Sequence, residues 1–327
     1  MGNGGSRLKK PFSKTIRLFL ENPYKVFVVL FRNGKFAQMD DELYLRLLYR
    51  GVTGRRLNLN PPVLYSEKIQ WLKLHDKNPV YPVFCDKLAV RDFVRARIGE
   101  EYLVDLCGVW DDPDEIDFDS LPEQFVLKCT HDSGSTILCH DKSSFDMVAA
   151  KQALKKHLEK DYSIAGREWP YHDVPRRVIA ERYLTNADGS LAMDYKFFCF
   201  DGEPRLILVN TNHTDRHSGN YTCDLDFSLF PIYVATTPQA DDPHLEKPVH
   251  YDRLVEIART LSAGLVHVRV DLYDTPEGVK AGELTLHSSS GLSQTMTLEG
   301  DRFLGDQLRL ESVQKFAAHG VDVNKKE

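Results

Sequence analysis

Apolar and polar positions alternate most regularly late in the chain. In Val268-Arg269-Val270-Asp271-Leu272-Tyr273, Val268, Val270 and Leu272 share one face and Arg269, Asp271 and Tyr273 the other. That is the period-two pattern of a half-buried strand. A turn region, Thr275-Pro276-Glu277-Gly278, leads to Gly282-Glu283-Leu284-Thr285, so the pattern predicts a hairpin closed by Pro276-Glu277-Gly278 as a three-residue loop. Counting outward from Glu277 sets Asp271 opposite Glu283. A second hairpin is predicted from 194–200 and 205–209, with Asp201-Gly202 as a type I′ turn. Apolar runs predict further strands over 103–110, 125–129 and 178–184. Helical spacing marks 66–74, with Ser66 as its cap, and also 86–98, 145–160 and 251–263, while Asp40-Asp41-Glu42 opens another helix. Residues 51–62 read as a linker, and the chain after 300 reads as polar, ending in a charged tail. Antiparallel hairpins among helices exclude a purely parallel, doubly wound sheet. The predicted class is α+β, with several small layers around a shared groove.

Composition narrows the function classes. The 327 residues are 42% hydrophobic and 28% charged, enough for a large core or for two or three subdomains sharing one cleft. A net charge of −6 argues against a nucleic-acid partner but leaves room for a nucleotide, which needs only a few local cations. The six cysteines show no C-x-x-C spacing and read as buried free thiols of a reducing cytoplasm, without a zinc site. No secretory signal is present, and the apolar stretch 16–31 is interrupted by Glu21-Asn22-Pro23 and Lys25, too short to span a bilayer. Arg7, Lys9, Lys10, Lys14 and Arg17 accompany it. Two readings fit residues 1–35: peripheral contact with an anionic membrane, which would put the protein at the inner face of the cell membrane, or a helix docked on the domain.

The facing carboxylates are the first chemical candidate. Directly opposed Asp271 and Glu283 would have Cβ atoms about 5 Å apart, where like charges repel. A divalent cation relieves that, and oxygen-only ligands favour Mg²⁺; a solvated acidic hairpin fits the same residues equally well. Lys128 ends an apolar strand and is followed by His131-Asp132-Ser133-Gly134-Ser135, a small, hydroxyl-rich loop able to offer N–H groups to phosphate. The spacing does not match a Walker A loop. Lys196, on the face of Asp194, Phe198 and Phe200, calls for an anion, either a carboxylate or a phosphate. Glu181 closes the run Val178-Ile179-Ala180. Arg205, Arg216 and Arg269 offer forks for carboxylate or phosphate. Asp117-Phe118-Asp119 and Asp224-Leu225-Asp226 are D-x-D triplets of the kind nucleotide-sugar glycosyltransferases use, and such triplets are frequent in acidic loops. No G-x-S-x-G or H-E-x-x-H occurs.

Taken in order, these pieces resemble an ATP-grasp enzyme. The chain is similar to the TupA-like ATP-grasp family of bacterial surface-polysaccharide clusters. The resemblance is carried by Ser66-Glu67-Lys68-Ile69-Gln70-Trp71-Leu72-Lys73-Leu74, Asp86-Lys87-Leu88-Ala89-Val90-Arg91, Gly108-Val109-Trp110-Asp111 and Gln124-Phe125-Val126-Leu127-Lys128. It continues through Arg167-Glu168-Trp169-Pro170-Tyr171, the run from Asp194 to Pro204, and Val268 to Tyr273. It implies an ATP-grasp fold with a nucleotide held between two α+β lobes. Residues 1–54 would be an N-terminal helical segment, 55–310 the catalytic unit (divided near 178 into a phosphate-loop lobe and an adenine and metal lobe), and 311–327 a polar tail. The resemblance places Lys87, Lys128 and Lys196 on the phosphates of ATP, with Ser133, Gly134 and Ser135 closing over them. The backbone near Glu181, Tyr183 and Leu184 would meet adenine, and Asp271 and Glu283 would hold Mg²⁺. Thr285 stands where the family commonly has a metal-binding asparagine, and a hydroxyl is the weaker ligand. His287-Ser288-Ser289-Ser290-Gly291 also lacks the aromatic and proline of relatives. Arg269, Lys128 and Arg216 are the expected catalytic residues. The implied activity is Mg²⁺-ATP-dependent joining of a carboxylate to an amine, such as an amino acid, through an acyl phosphate in capsule or surface-polysaccharide assembly. The rivals are a nucleotide-sugar glycosyltransferase of the same pathway and a membrane-peripheral scaffold.

Overall fold

The computed structural model describes residues 22–32, 36–210, 220–232 and 245–319. Helices α1 (Lys25–Arg32) and α2 (Asp41–Thr53) pair at the N-terminal side, with the Phe31 ring stacked on Tyr44 at 3.9 Å between centroids. The Asp40 carboxylate accepts from Leu43 N at the start of α2, and Gly54, in the left-handed region at φ 74°, ends it. Thus α1 docks on the protein, whereas most of the basic stretch expected to meet a membrane, residues 1–21, lies outside the described residues. No helix among the described residues is long and apolar enough to cross a membrane.

Helix α3 (Tyr65–His75) starts two residues earlier than Ser66 would allow as a cap. Glu67 caps it instead, accepting from Val63 N and Leu64 N, because Ser66 is committed elsewhere: its N–H and hydroxyl both bond to Asp301 at 2.7 Å. The chain continues through α4 (Tyr81–Cys85) and α5 (Val90–Ile98). The helix predicted from 86 begins late because the Asp86 carboxylate accepts from Leu88 N and turns the chain first.

Two antiparallel sheets follow, as the α+β class requires. The first contains β1 (Leu106–Trp110), β2 (Phe125–Cys129), β3 (Ile137–Cys139) and β4 (Val178–Arg182) in the order β1-β4-β2-β3. The lobe boundary anticipated near 178 therefore falls at the start of a strand that belongs to this sheet, hydrogen-bonded between β1 and β2. Phe125, Leu127, Val178 and Ala180 pack against Ala150 and Leu154 of α6 (Met147–Leu158), which the short α7 (Tyr162–Gly166) follows. Alternation then sends Val126 and Lys128 of β2, with Glu181 of β4, to the opposite face.

The second sheet holds β5 (Asp194–Phe200), β6 (Glu203–Asn210), β7 (Asn220–Cys223), β8 (His267–Thr275) and β9 (Gly278–Thr285), in the order β7-β6-β5-β8-β9. Asp201 and Gly202, at φ 51° and 81°, form the predicted primed turn between β5 and β6. Tyr195, Phe197, Val268, Val270 and Leu272 face α8 (Tyr251–Ser262), whose Leu254, Ile257, Ala258 and Leu261 complete that core. Phe198 and Phe200 emerge on the other face, against Tyr65 and Ile69 of α3 and Leu304 of α9 (Leu298–Gln307). The stretch anticipated as a polar tail also contains structure. Ser312–His319 forms α10, and its Val313 joins this second core because one apolar face outweighs a polar average.

The β8–β9 hairpin differs from the prediction in a compensating way. Thr275 pairs with Gly278, so the loop is two residues, not three, which alone would shift every partner by one. A bulge at Gly282 restores the count, and Asp271 does pair with Glu283. All six cysteines are free thiols, five of them buried.

Candidate functional site

The polar faces of the two sheets meet at a cleft of about 290 Å³. Its lining combines apolar side chains, Val104, Val126, Leu138, Leu184 and Leu191, with charged ones, Lys87, Lys128, Lys196, Asp194, Asp271 and Glu283. The two lobes are joined at its rim. Lys280 Nζ donates to the Leu103 carbonyl at 3.3 Å, Leu103 bridges to Ala281, and the Arg182 guanidinium grips Glu277 at 2.7 Å.

Each lysine has a protein partner. Lys128 Nζ lies 2.6 Å from Glu181 Oε2, and Glu181 Oε1 is 3.2 Å from Arg91 Nη1. Arg91 is a residue that the sequence did not single out for this site; its position on an otherwise amphipathic helix gives no sign of the carboxylate it meets. Lys87 donates to the Asp132 carbonyl, tying it to the 131–136 loop. Within that loop Ser133 and Gly134 form an exposed tip, with Gly134 at φ 91°. Ser135 turns inward: its hydroxyl accepts from Cys129 N at 2.9 Å and donates to Asp132, whose other oxygen meets His157. The loop is therefore anchored by Ser135, and Ser133 and Gly134 are the parts presented outward.

Beyond β4, the Tyr183 hydroxyl meets His140 Nδ1 at 2.9 Å, and the Leu184 carbonyl accepts from Ala192 N at 3.0 Å. Leu184 lines the cleft.

On the second sheet, register sets Lys196 opposite Asp271 across β5–β8. Lys196 Nζ is 2.8 Å from Asp271 Oδ2 and also meets Asp194. Arg269 holds Asp271 with its fork, Nε to Oδ1 and Nη2 to Oδ2 both at 2.7 Å. Its Nη1 donates to Ser288 Oγ at 3.0 Å, and its Nη2 also reaches Thr285 Oγ1 at 3.1 Å. Burial alone would raise the Asp271 carboxyl, but the charges of Arg269 and Lys196 outweigh it and hold it below the ordinary carboxylate range. Burial pushes Asp194 up to about 6 against the pull of Lys196. Asp194 Oδ1 is buried without a hydrogen-bond partner. Glu283, on the neighbouring strand, has no hydrogen bond or ion pair to its carboxylate among the described residues.

These donors fit a hard cation together with phosphate. An ionised carboxylate offers about four acceptor positions. Asp271 uses two on Oδ2 and one on Oδ1, so one remains beside the unpartnered Glu283. The Thr285 hydroxyl oxygen already accepts from Arg269. Among the described residues no group of three or more His, Cys, Asp or Glu gathers closely enough to hold a metal alone. Mg²⁺ commonly takes only one or two carboxylates and completes its shell with phosphate and water.

The other candidates lie apart. Arg216 falls outside the described residues, and Arg205 is exposed on β6 and does not line the cleft. Both D-x-D triplets serve local turns: Asp117 accepts from Asp119 N and Asp224 from Asp226 N and Ser228 N.

The TupA-like ATPgrasp family model matches residues 67–309. No curated protein sequence matches the chain. Among solved structures, D-alanine–D-alanine ligase from Bacillus anthracis is similar at 16% identity and a TM-score of 0.40, over 72% of this chain and 69% of that one. The D-cycloserine synthetase DcsG is similar at 18% identity and 0.38, over 71% and 72%. The ATP-grasp ligase PsnB complexed with minimal precursor, Mg and ADP is similar at 14% identity and 0.37, over 77% and 66%. The matched segment runs from the first turn of α3 to beyond α9 and takes in every residue that lines the cleft, and on that match the chain belongs to the TupA-like ATPgrasp family.

Proposed function

We propose that this protein is an ATP-dependent ligase that joins a carboxylic acid to an amine through an acyl phosphate, in the assembly of a bacterial cell-surface polysaccharide. Membership of the TupA-like ATPgrasp family supports the use of ATP and the ligase class. The observation that carries the reading is one cleft lined both by apolar side chains able to meet a base and by Lys87, Lys128 and Lys196 together with Asp271 and Glu283. In this reading the adenine lies among Val126, Leu138, Leu184 and Leu191, and the three ammonium groups face the phosphate chain. Asp271 and Glu283 would hold Mg²⁺, which neutralises charge on the transferring phosphoryl group when bound.

A substrate carboxylate oxygen attacks the γ-phosphorus, the bond to the β-phosphate oxygen breaks, and ADP leaves. The amine then attacks the acyl carbon, phosphate departs and the surplus ammonium proton is lost to solvent. In this reading Arg269, which holds Asp271, would stabilise the negative charge of the acyl phosphate or its tetrahedral successor. The 131–136 loop, drawn to Lys87 through the Asp132 carbonyl, is suited to excluding water that would hydrolyse the intermediate. The acid of choice is a uronic acid or a peptide carboxylate, and the amine an amino acid.

Calorimetric titration of Mg²⁺-ATP tests the reading. Wild type should bind in a metal-dependent way, Glu283→Gln should lose the metal dependence, and Lys128→Met should weaken binding by about tenfold or more, the scale of one charged hydrogen bond. A wild-type protein that takes up no nucleotide with or without Mg²⁺ sinks the proposal. With a candidate acid, hydroxylamine in place of the amine should yield a hydroxamate and ADP in equal amounts.

A further inference from the structure

A second group of charges sits behind the cleft, and the chemistry above does not use it. Lys73, on α3, is only 2% exposed. Its ammonium donates to Gln70 Oε1 at 3.0 Å, to the Ser290 carbonyl at 2.8 Å and to Ser290 Oγ at 2.7 Å. Glu168, 5% exposed, supplies the opposite charge, and its Oε2 is 3.5 Å from His287 Nδ1. Both acidic and hydroxyl groups crowd against Gly166, where an added Cβ would lie 2.5 Å from Ser290 Oγ and 2.7 Å from Glu168 Oε1.

An ammonium and a carboxylate buried this deeply cost free energy unless geometry repays it. What they hold is a strained turn. Ser289, Ser290 and Gly291 are all left-handed, at φ 50°, 56° and 66°. Two successive serines in that region are costly and persist only where their surroundings over-determine them. Lys73 and Gln70 do so from one side, with Gln70 Nε2 donating to the Ser290 carbonyl at 2.9 Å. The residue that opens the turn, Ser288, accepts from Arg269 Nη1, and Arg269 grips Asp271 with its remaining nitrogens. A continuous chain thus runs from the buried charge to Asp271, which lines the cleft.

We infer that Lys73 and Glu168 are positioning residues: the buried pair fixes the left-handed turn at 288–291, and the turn, through Ser288, sets the guanidinium of Arg269 against Asp271. This rests on the ligase reading for its catalytic consequence but not for its geometry, and the two are tested separately. In the protein alone, the Arg269 Nε–H signal in ¹⁵N NMR, assigned by its loss in Arg269→Lys, reports whether the fork is held. Its solvent exchange should quicken by about tenfold in the Lys73→Met/Glu168→Gln double variant, which removes both charges together, and in Ser290→Ala. Ser290→Ala deletes a single hydroxyl and carries the same test should the double variant not fold. In turnover, ADP release should lose about 10- to 100-fold in kcat, the scale of a small misplacement of a reacting group, with KM for ATP changed less than about twofold. Adding Ser288→Ala to either variant should cost nothing beyond Ser288→Ala alone, because all act through one bond. Unchanged Nε–H exchange, or losses that add to those of Ser288→Ala, overturn the inference. A wild-type protein that releases no ADP overturns the ligase reading instead, and the exchange measurement then decides the positioning role by itself.

Discussion

Lys73 shows how burial changes what a single charge does. Burial lowers its pKa from the ordinary 10.5 to about 8, with Glu168 opposing the shift. Between pH 8 and 10.5 the unfolded chain therefore holds a proton that the folded chain has released. Stability rises with pH wherever the unfolded state binds more protons. The cost of burying this lysine is present in full below pH 8 and is relieved as the pH climbs to 10.5, by about 3 kcal/mol at most for a shift of this size. Urea unfolding of wild type and of the Lys73→Met/Glu168→Gln variant across pH 7.5–10.5 measures this. The stability difference should move in favour of wild type as pH rises, and a constant difference would contradict it. The cleft residues follow the same logic with the opposite result. Asp271 stays ionised despite burial because two cations address it, and Lys196 is held above its ordinary range because Asp271 and Asp194 outweigh its burial.

At the scale of the element, the β8–β9 hairpin carries the finest constraint. The two-residue turn and the bulge at Gly282 together bring Glu283 opposite Asp271. Gly282 is needed for its size: a Cβ there would lie 2.8 Å from the Tyr273 ring and 3.1 Å from the Asp271 carbonyl. Gly282→Ala should therefore displace the bulge, at about 1–3 kcal/mol for overpacking, and remove the metal dependence of ATP binding. Gly202→Ala is the contrast, since Gly202 is left-handed but has room for a methyl group. It should cost about 1–2 kcal/mol in thermal or urea unfolding and leave nucleotide binding intact. If both variants lose binding equally, the bulge is not what positions Glu283. The loop at 131–136 has a similar division, with Ser135 as its internal anchor and Ser133-Gly134 as its outward tip.

Across the whole molecule, the cleft forms where the face of the first sheet turned away from α6 meets the Asp194–Lys196 part of a second-sheet face whose Phe198–Phe200 part is buried under α3 and α9. Of the contacts that tie the lobes at the rim, the Arg182–Glu277 pair is largely exposed and contributes about 0–1 kcal/mol. Occupancy of the cleft adds more than that pair does. At a hundredfold excess over Kd, Mg²⁺-ATP should raise unfolding stability by about 2.7 kcal/mol. Thermal shift with and without Mg²⁺ reads this directly. The increase should persist in Gly202→Ala and disappear in Glu283→Gln when Mg²⁺ is varied, and a nucleotide effect indifferent to Mg²⁺ in wild type would argue against the acidic hairpin as the metal site.

Much of this was legible along the chain because it is local. Period-two alternation in 268–273 separates Arg269 and Asp271 from Val268 and Val270 whatever the rest of the chain does, and Asp201-Gly202 can turn only one way between two strands. Lys128 and Lys196 stood out because a lysine inside an apolar strand must meet an anion. The order of the motifs resembled the family to which the chain belongs. The tertiary structure decided what depends on residues distant in sequence. Ser66 is drawn from capping duty by Asp301, β4 is inserted between β1 and β2, and Arg91 comes to share Glu181 with Lys128. Lys73 closes on a serine more than two hundred positions away. The pairing of Asp271 with Glu283 lies between the two cases: the count from the turn reached the right partner, but a loop one residue shorter and a bulge that nothing in the local pattern announces are what produce it. Alternation and turn chemistry are properties of neighbouring residues, whereas the partner of a buried charge is set by which surfaces the fold brings into contact.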